Sequence, residues 1–261
     1  MKSSFQNVDS EIETPVSTTG AEVAVQNANA EIVADDFFGN DGFDGEIDQK
    51  VIRTPYLSLA HGVGGLAEAG FTPGSLVYNK EVSLADAKKG IIAAEDAVEI
   101  ILLRGFQEYV EDVSDTEFKS GLKPRRWKTE AEARAAGLIS PKDKRSSGDT
   151  ESRTYRPTAT FKVLCTSNQN TSSLPFEFGG KNYAIAAVVF SKGSYWSAGV
   201  TALQFVNDCR MLKRPLFWKS FKLTTKLEKF PGAANASWSM KLAPSAKLSD
   251  EQLAWVKDLN A

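Results

Sequence analysis

Two segments of this chain, DAVEIILLRGFQEYV (96–110) and NYAIAAVVF (182–190), are apolar at successive positions as well as at alternate ones. A strand points its side chains to opposite sides with a period of two, so such runs need cover on both faces and belong inside a sheet. In the first, Val98, Ile100 and Leu102 alternate with Glu99, Ile101 and Leu103, which places it centrally. Around them, VIRTPYLSLA, SLVYNKEVSL, TATFKVLCTS, LFWKSFKLTTKLEKF and SWSMKL read as further strands punctuated by glycine and proline. The expected fold class is therefore mainly β with a few helices.

The helices have their own signals. Ala198, Thr201, Ala202, Phe205, Val206, Cys209 and Leu212 recur at helical spacing before Pro215, which stops the helix. Residues 114–153 form an excursion between strands, in which Thr129 and Glu132 make a capping box for a short helix that Gly137 ends. The polar stretch after Gly137 reads as a mobile loop. Ser249 and Gln252 suggest a second capping box for a last helix, with Leu248 placed to staple onto Leu253.

Charge divides the chain. Of its 33 acids and 31 bases, residues 1–48 hold eleven acids and one base, leaving twenty-two acids and thirty bases to residues 49–261. The balance is −10 against +8. The acidic stretch has few large apolar residues before Phe37, Phe38 and Phe43, and is expected to be a disordered arm ahead of one folded body. A basic body favours a polyanionic partner. No apolar run approaches the ~20 residues that cross a bilayer, and a cytoplasmic protein without membrane contact is expected.

Much chemistry lacks a seat. One histidine, His61, and two distant cysteines, Cys165 and Cys209, cannot supply a zinc site or a hydrolase triad. Gly179 and Gly180 are followed by Lys181 and Asn182, a hairpin turn and not a phosphate loop. The acids from Asp35 to Asp48 lack the calcium-loop frame. No cofactor is expected.

What remains is a basic, aromatic surface. Alternation along residues 217–227 assigns Phe217, Phe221, Leu223 and Leu227 to one face and Trp218, Ser220, Lys222, Thr224 and Lys226 to the other. The next strand puts Trp238, Met240 and Leu242 inward and Ser237, Ser239 and Lys241 outward. Residues 204–230 carry seven bases and two acids, Arg214 among the bases. A flat basic face bearing an indole suits single-stranded nucleic acid, whose bases stack while lysines follow the phosphates. The alternative lays Trp218 over a neighbouring helix and leaves the lysines to keep the hairpin soluble. Lys123, Arg125, Arg126, Trp127 and Lys128 form a second cluster in the excursion, suited to clamping a strand. Tyr155 with Arg156, and Arg53 with Tyr56, are weaker pairs of the same kind.

In layout the chain resembles a phage-encoded single-stranded DNA-binding protein of the OB-fold type. The likeness lies in the glycine-rich stretch from Tyr56 to Gly74, the central apolar strand, the excursion from Trp127 to Gly137, the YAIAAVVF strand with its helix, and the FKLTTK hairpin. It implies an OB-like five-stranded barrel with insertions over residues 49–261, without enzymatic activity, coating single-stranded DNA in replication and recombination. Bacterial members of that family carry their acidic tail at the C-terminus, whereas this chain ends in DEQLAWVKDLNA. The arm's DDFFGNDGFDGEID reads first as a plain solubilising tail, and alternatively as an imitation of a strand or a dock for replication or recombination proteins. A structural or regulatory protein-interaction module acting through that arm is the alternative function, and a nuclease with dispersed carboxylates is third.

Overall fold

A computed structural model describes residues 54–88, 90–229 and 235–260. The acidic arm, residues 1–48, and Arg53 lie outside the described residues. The coarse expectation holds: the chain is mainly β, with a few helices. The long strands are β4 (Val98–Glu111), β6 (Tyr155–Thr166), β8 (Lys181–Ser191), β9 (Lys219–Glu228) and β10 (Ser237–Lys247). With β7 (Phe176–Phe178) they form one antiparallel sheet in the order β10-β9-β4-β6-β8-β7, and β5 (Arg126–Trp127) pairs with the far end of β4. β4 and β8 both lie inside the sheet, as their doubly apolar sequences require, with β6 between them. A second sheet holds β1 (Leu57–Leu59), β2 (Leu76–Tyr78) and β3 (Val82–Ala85), with a short helix α1 (Gly65–Glu68) between its first two strands.

The segment SLVYNKEVSL divides into β2 and β3 instead of forming one strand. Asn79 and Lys80 both adopt left-handed backbone, φ 49° and 62°, the geometry of a tight hairpin turn that Asn tolerates. The small sheet packs Leu57, Leu59, Leu76 and Leu84 onto the inner face of the large one, against Val98, Ile100, Leu102, Phe161, Val163, Phe221 and Leu223. The two sheets are held close at Gly74, φ 94°, where an added Cβ would collide with the Trp238 ring.

The excursion contains more regular structure than its sequence suggests. Its first helix, α2 (Asp115–Lys119), has a full capping box from Ser114 and Glu117. The expected box at Thr129 and Glu132 caps α3 (Glu130–Ala135). The stretch read as a loop contains α4 (Pro141–Ser147), started by the Ser140 cap and closed by Gly148 at φ 68°.

After β8 the chain makes a helical turn, α5 (Lys192–Ser194), and a π turn (Tyr195–Gly199). Helix α6 (Val200–Met211) follows and crosses the inner face of the large sheet, with Ala202 and Cys209 buried and Phe205 against Phe221 at 4.7 Å between ring centres. The outer face carries a second core. Ile101, Leu103, Leu164 and Tyr183 lie under the last helix, α7 (Asp250–Leu259), through Leu253 and Val256. Between Leu102 and Arg104 the pairing of β4 with β6 shifts by a bulge, beside the point where Leu103 joins this outer core. Ser249 caps α7 by accepting from the Gln252 amide, but the return bond of a capping box is not made. The Gln252 side chain instead donates to the Tyr183 hydroxyl.

Candidate nucleic-acid interface

The expected platform separates into two surfaces. β9 begins only at Lys219, because Pro215 leads into a 3-10 turn (Leu216–Trp218) before it. The period of two therefore does not extend back through residues 217 and 218. Phe217 joins the outer core beside Leu248 and Leu253. Trp218 lies on the Phe221 side, stacked with Phe205 at 6.0 Å, and its Nε1 donates to the Cys209 thiol at 3.2 Å. This corrects the assignment of Trp218 to the lysine face; the alternative that laid it over a helix is the one observed. Arg214 accompanies Trp218, its guanidinium over the ring. Lys222, Lys226 and Lys241 do share the outer face. There Glu228 takes ion pairs from Lys226 at 3.7 Å and Lys241 at 2.6 Å, while the Lys222 ammonium donates to the Ala94 carbonyl. Trp238, Met240 and Leu242 point inward as expected.

The cluster at 125–128 is largely structural. Arg125 pairs with Glu111 at 3.0 Å and lies 5.3 Å over the Trp127 ring. Arg126 pairs with Glu108. Trp127, taken for a clamp, packs with Ala133, Leu138 and Tyr155 and fastens the excursion to the sheet. Lys128 is exposed and uses its backbone amide on Glu132.

A cleft of about 680 Å³ lies between the excursion and the π turn. One wall is α4, with Pro141, Lys142 and Arg145; the other is Lys192, Tyr195 and Trp196; the floor is Tyr109, Tyr155 and Pro157 at the ends of β4 and β6. The excursion thus overhangs the sheet, though through α4 and not through Trp127. The π turn sends neighbouring side chains apart: Tyr195 is buried, while Trp196 is 69% exposed. Gln107 fixes the floor, donating to the hydroxyls of Tyr195 at 3.0 Å and Tyr109 at 3.2 Å. Tyr155, expected as a contact, is buried with its hydroxyl on Glu130. Burial and that carboxylate push its pKa up to about 12, so it stays a neutral phenol.

Within the cleft the carboxylates are spoken for. Asp112 pairs with Arg156, and Glu130 with Arg134 and Tyr155. No described carboxylate lies within ion-pair distance of Lys142, Arg145 or Lys192, so the cleft presents three cations without an acidic partner around an exposed indole. Lys192 itself holds left-handed backbone, φ 52°, which a non-glycine residue adopts only under constraint. Tyr56 is half-exposed where it bridges to Ala187, and it lines a neighbouring hollow of about 450 Å³ that also includes His61 and Lys192. Burial and the Lys192 charge lower the His61 pKa, so it adds no cation at neutral pH.

Sequence reading missed Trp196, Lys142, Arg145 and Lys192. Nothing in YWSAG announces a π turn, whereas Ser140-Pro141 followed by Gly148 was a usable helix signal. Among the described residues, no group of three or more His, Cys, Asp or Glu could hold a metal ion, and no helix is long and apolar enough to cross a membrane. Compared with known proteins, the chain matches no family model, no curated protein and no solved structure.

Proposed function

We propose that this chain is a non-enzymatic single-stranded DNA-binding protein, coating the strand in phage replication and recombination and holding it in the cleft beside Trp196. The observation that carries the reading is one exposed tryptophan of five, in a cleft with three cations that form no ion pair with a described carboxylate. Unpaired bases stack on such a ring for about 1–3 kcal/mol each, without regard to sequence. Lys142, Arg145 and Lys192 stand where phosphates would pass, and Tyr56 and Arg156 extend the path on either side. An OB-like five-stranded barrel is part of the proposal: β4, β6, β8, β9 and β10, which run as an open sheet, would be its strands and the excursion its insertion. The acidic arm would meet replication or recombination proteins.

Titration with poly(dT) tests this by fluorescence. Binding should quench the tryptophan emission and weaken steeply with added salt. Trp196→Ala should lower affinity about tenfold or more, matching one stacked base. Unchanged emission, or equal affinity for duplex, would refute it and favour a protein-interaction module working through the arm.

A further inference from the structure

We infer that the corner around Trp218 is a second phosphate-binding point for the same single strand, which runs beside α6 from Trp196 to Arg214. This rests on the proposed binding in the cleft. Three segments bring cations to one indole: the Arg214 guanidinium lies 4.7 Å from the Trp218 ring centre, the Lys247 ammonium 5.8 Å and the Lys219 ammonium 6.0 Å. Lys219 and Lys247 are direct cross-strand partners. Like charges placed opposite each other oppose sheet pairing, and the indole offsets part of that repulsion by attracting all three cations to its ring, which leaves the corner with an excess of positive charge. Arg210 and Lys213, four residues and one residue before Arg214, extend the charge. No described carboxylate lies within ion-pair distance of these five cations, whereas Glu228, Glu111 and Asp112 engage lysines and arginines elsewhere on the sheet.

The corner also has room. A hollow of about 460 Å³ follows α6 from Thr201 to Leu212, between the helix and the β9–β10 hairpin, lined by apolar side chains together with Gln204 and one carboxylate, Asp208, against the two cations Arg214 and Lys219. Beside it Met211 and Leu212 are exposed, 74% and 58%. Trp218, between Phe205 and Arg214, holds the cations in place, and a cluster of cations beside exposed apolar side chains is the combination that accepts phosphates together with their bases. The lysines of the outer face lack it, since Glu228 already answers two of them.

Distance sets the strand length. Phe205 and Cys209, against which Trp218 rests, stand nine and thirteen residues beyond Trp196. At 1.5 Å per helical residue that is about 14–20 Å. With phosphates about 3.4 Å apart along a stacked strand, about four to six nucleotides lie between the two points. Short strands then reach the cleft alone, and longer ones reach both.

The test compares oligothymidylates of about four and about twenty nucleotides on the full chain, across a salt series. Arg214→Ala/Lys247→Ala removes two cations of the corner, and its melting temperature confirms that it folds. The double variant should bind the short strand like wild type. It should bind the long one at least about tenfold more weakly, with the salt slope shallower by about 1.4, since each phosphate left without its cation takes about 0.7 from the slope. Wild-type affinity and slope for the long strand would overturn the second binding point while leaving the cleft intact. Equal weakening for both lengths would overturn it too, because the corner would then belong to the first. A wild-type protein that binds neither strand refutes the underlying reading, and Trp196→Ala losing both strands while the double variant loses only the long one supports the path proposed.

Discussion

Replacing Glu111 with Gln should release the excursion while the sheet stays folded. The Glu111 carboxylate, 2% exposed at the end of β4, accepts from Arg125 Nε at 3.0 Å and from Arg153 Nη1 at 2.8 Å, and also from the Arg125 backbone amide. These two arginines flank the whole stretch that contains α3 and α4, so one acid closes it. Burial alone would raise the Glu111 pKa, but the arginine hydrogen bonds outweigh that and hold it down to about 2, against an ordinary 4.5. At about 1.4 kcal/mol per pH unit the difference corresponds to about 3 kcal/mol of folded-state preference for the carboxylate. Both arginines are half-exposed and regain water when the acid is lost, so the net cost of Glu111→Gln is set at about 2 kcal/mol. Hydrogen exchange at the amides of Asp112, Ile139 and Tyr155, which bond to Thr154, Arg153 and Ile139, reads the latch directly. Their protection should fall about thirtyfold, while the β6–β8 amides change little. A lowered pKa stabilises above the unfolded value and loses its contribution as pH falls from about 4.5 toward about 2. Wild-type protection should fade over that window, and the variant should keep only the acid dependence of Glu117, Glu130, Asp143 and Asp149, whose hydrogen bonds also lower them. Equal protection in variant and wild type at neutral pH would refute the latch.

Gly105→Ala should destabilise the large sheet by about 2–3 kcal/mol, read as a lowered urea midpoint, because the new Cβ would collide with the buried Phe161 ring; an unshifted midpoint would show that the ring yields. Cys165 is fully buried, and burial pushes its thiol up to about 12. Thiol reagents at neutral pH should therefore modify it only after unfolding, and rapid labelling of the native protein at Cys165 would contradict its placement between β6 and β8.

The strands and helices were legible where local chemistry decides them. Doubly apolar runs marked β4 and β8 as interior strands, the helical stripe from Ala198 marked α6, and Thr129 with Glu132 marked the start of α3. The candidate site was less legible, because its parts depend on tertiary partners. Alternation misplaced Trp218 since a 3-10 turn, invisible in composition, resets the phase at Lys219. The bases at 125 and 126 looked available until Glu111 and Glu108, fourteen and eighteen residues earlier, met them. Trp196 gave no warning, because a π turn decides that it points away from the stripe occupied by Ala198 and Ala202.

Because both ends of the excursion converge on a single acid, the polypeptide between Arg125 and Arg153 behaves as a cassette. Its outer part, α4, can change in length without disturbing the register of the long strands, since the two arginine junctions and the Trp127, Ala133 and Leu138 core against Tyr155 already fasten the rest to the central ladder. The wall of the cleft is thus the part of the molecule most open to exchange. Grafting a different span between those two arginines is a direct route to altering what the cleft admits while keeping the sheet beneath it.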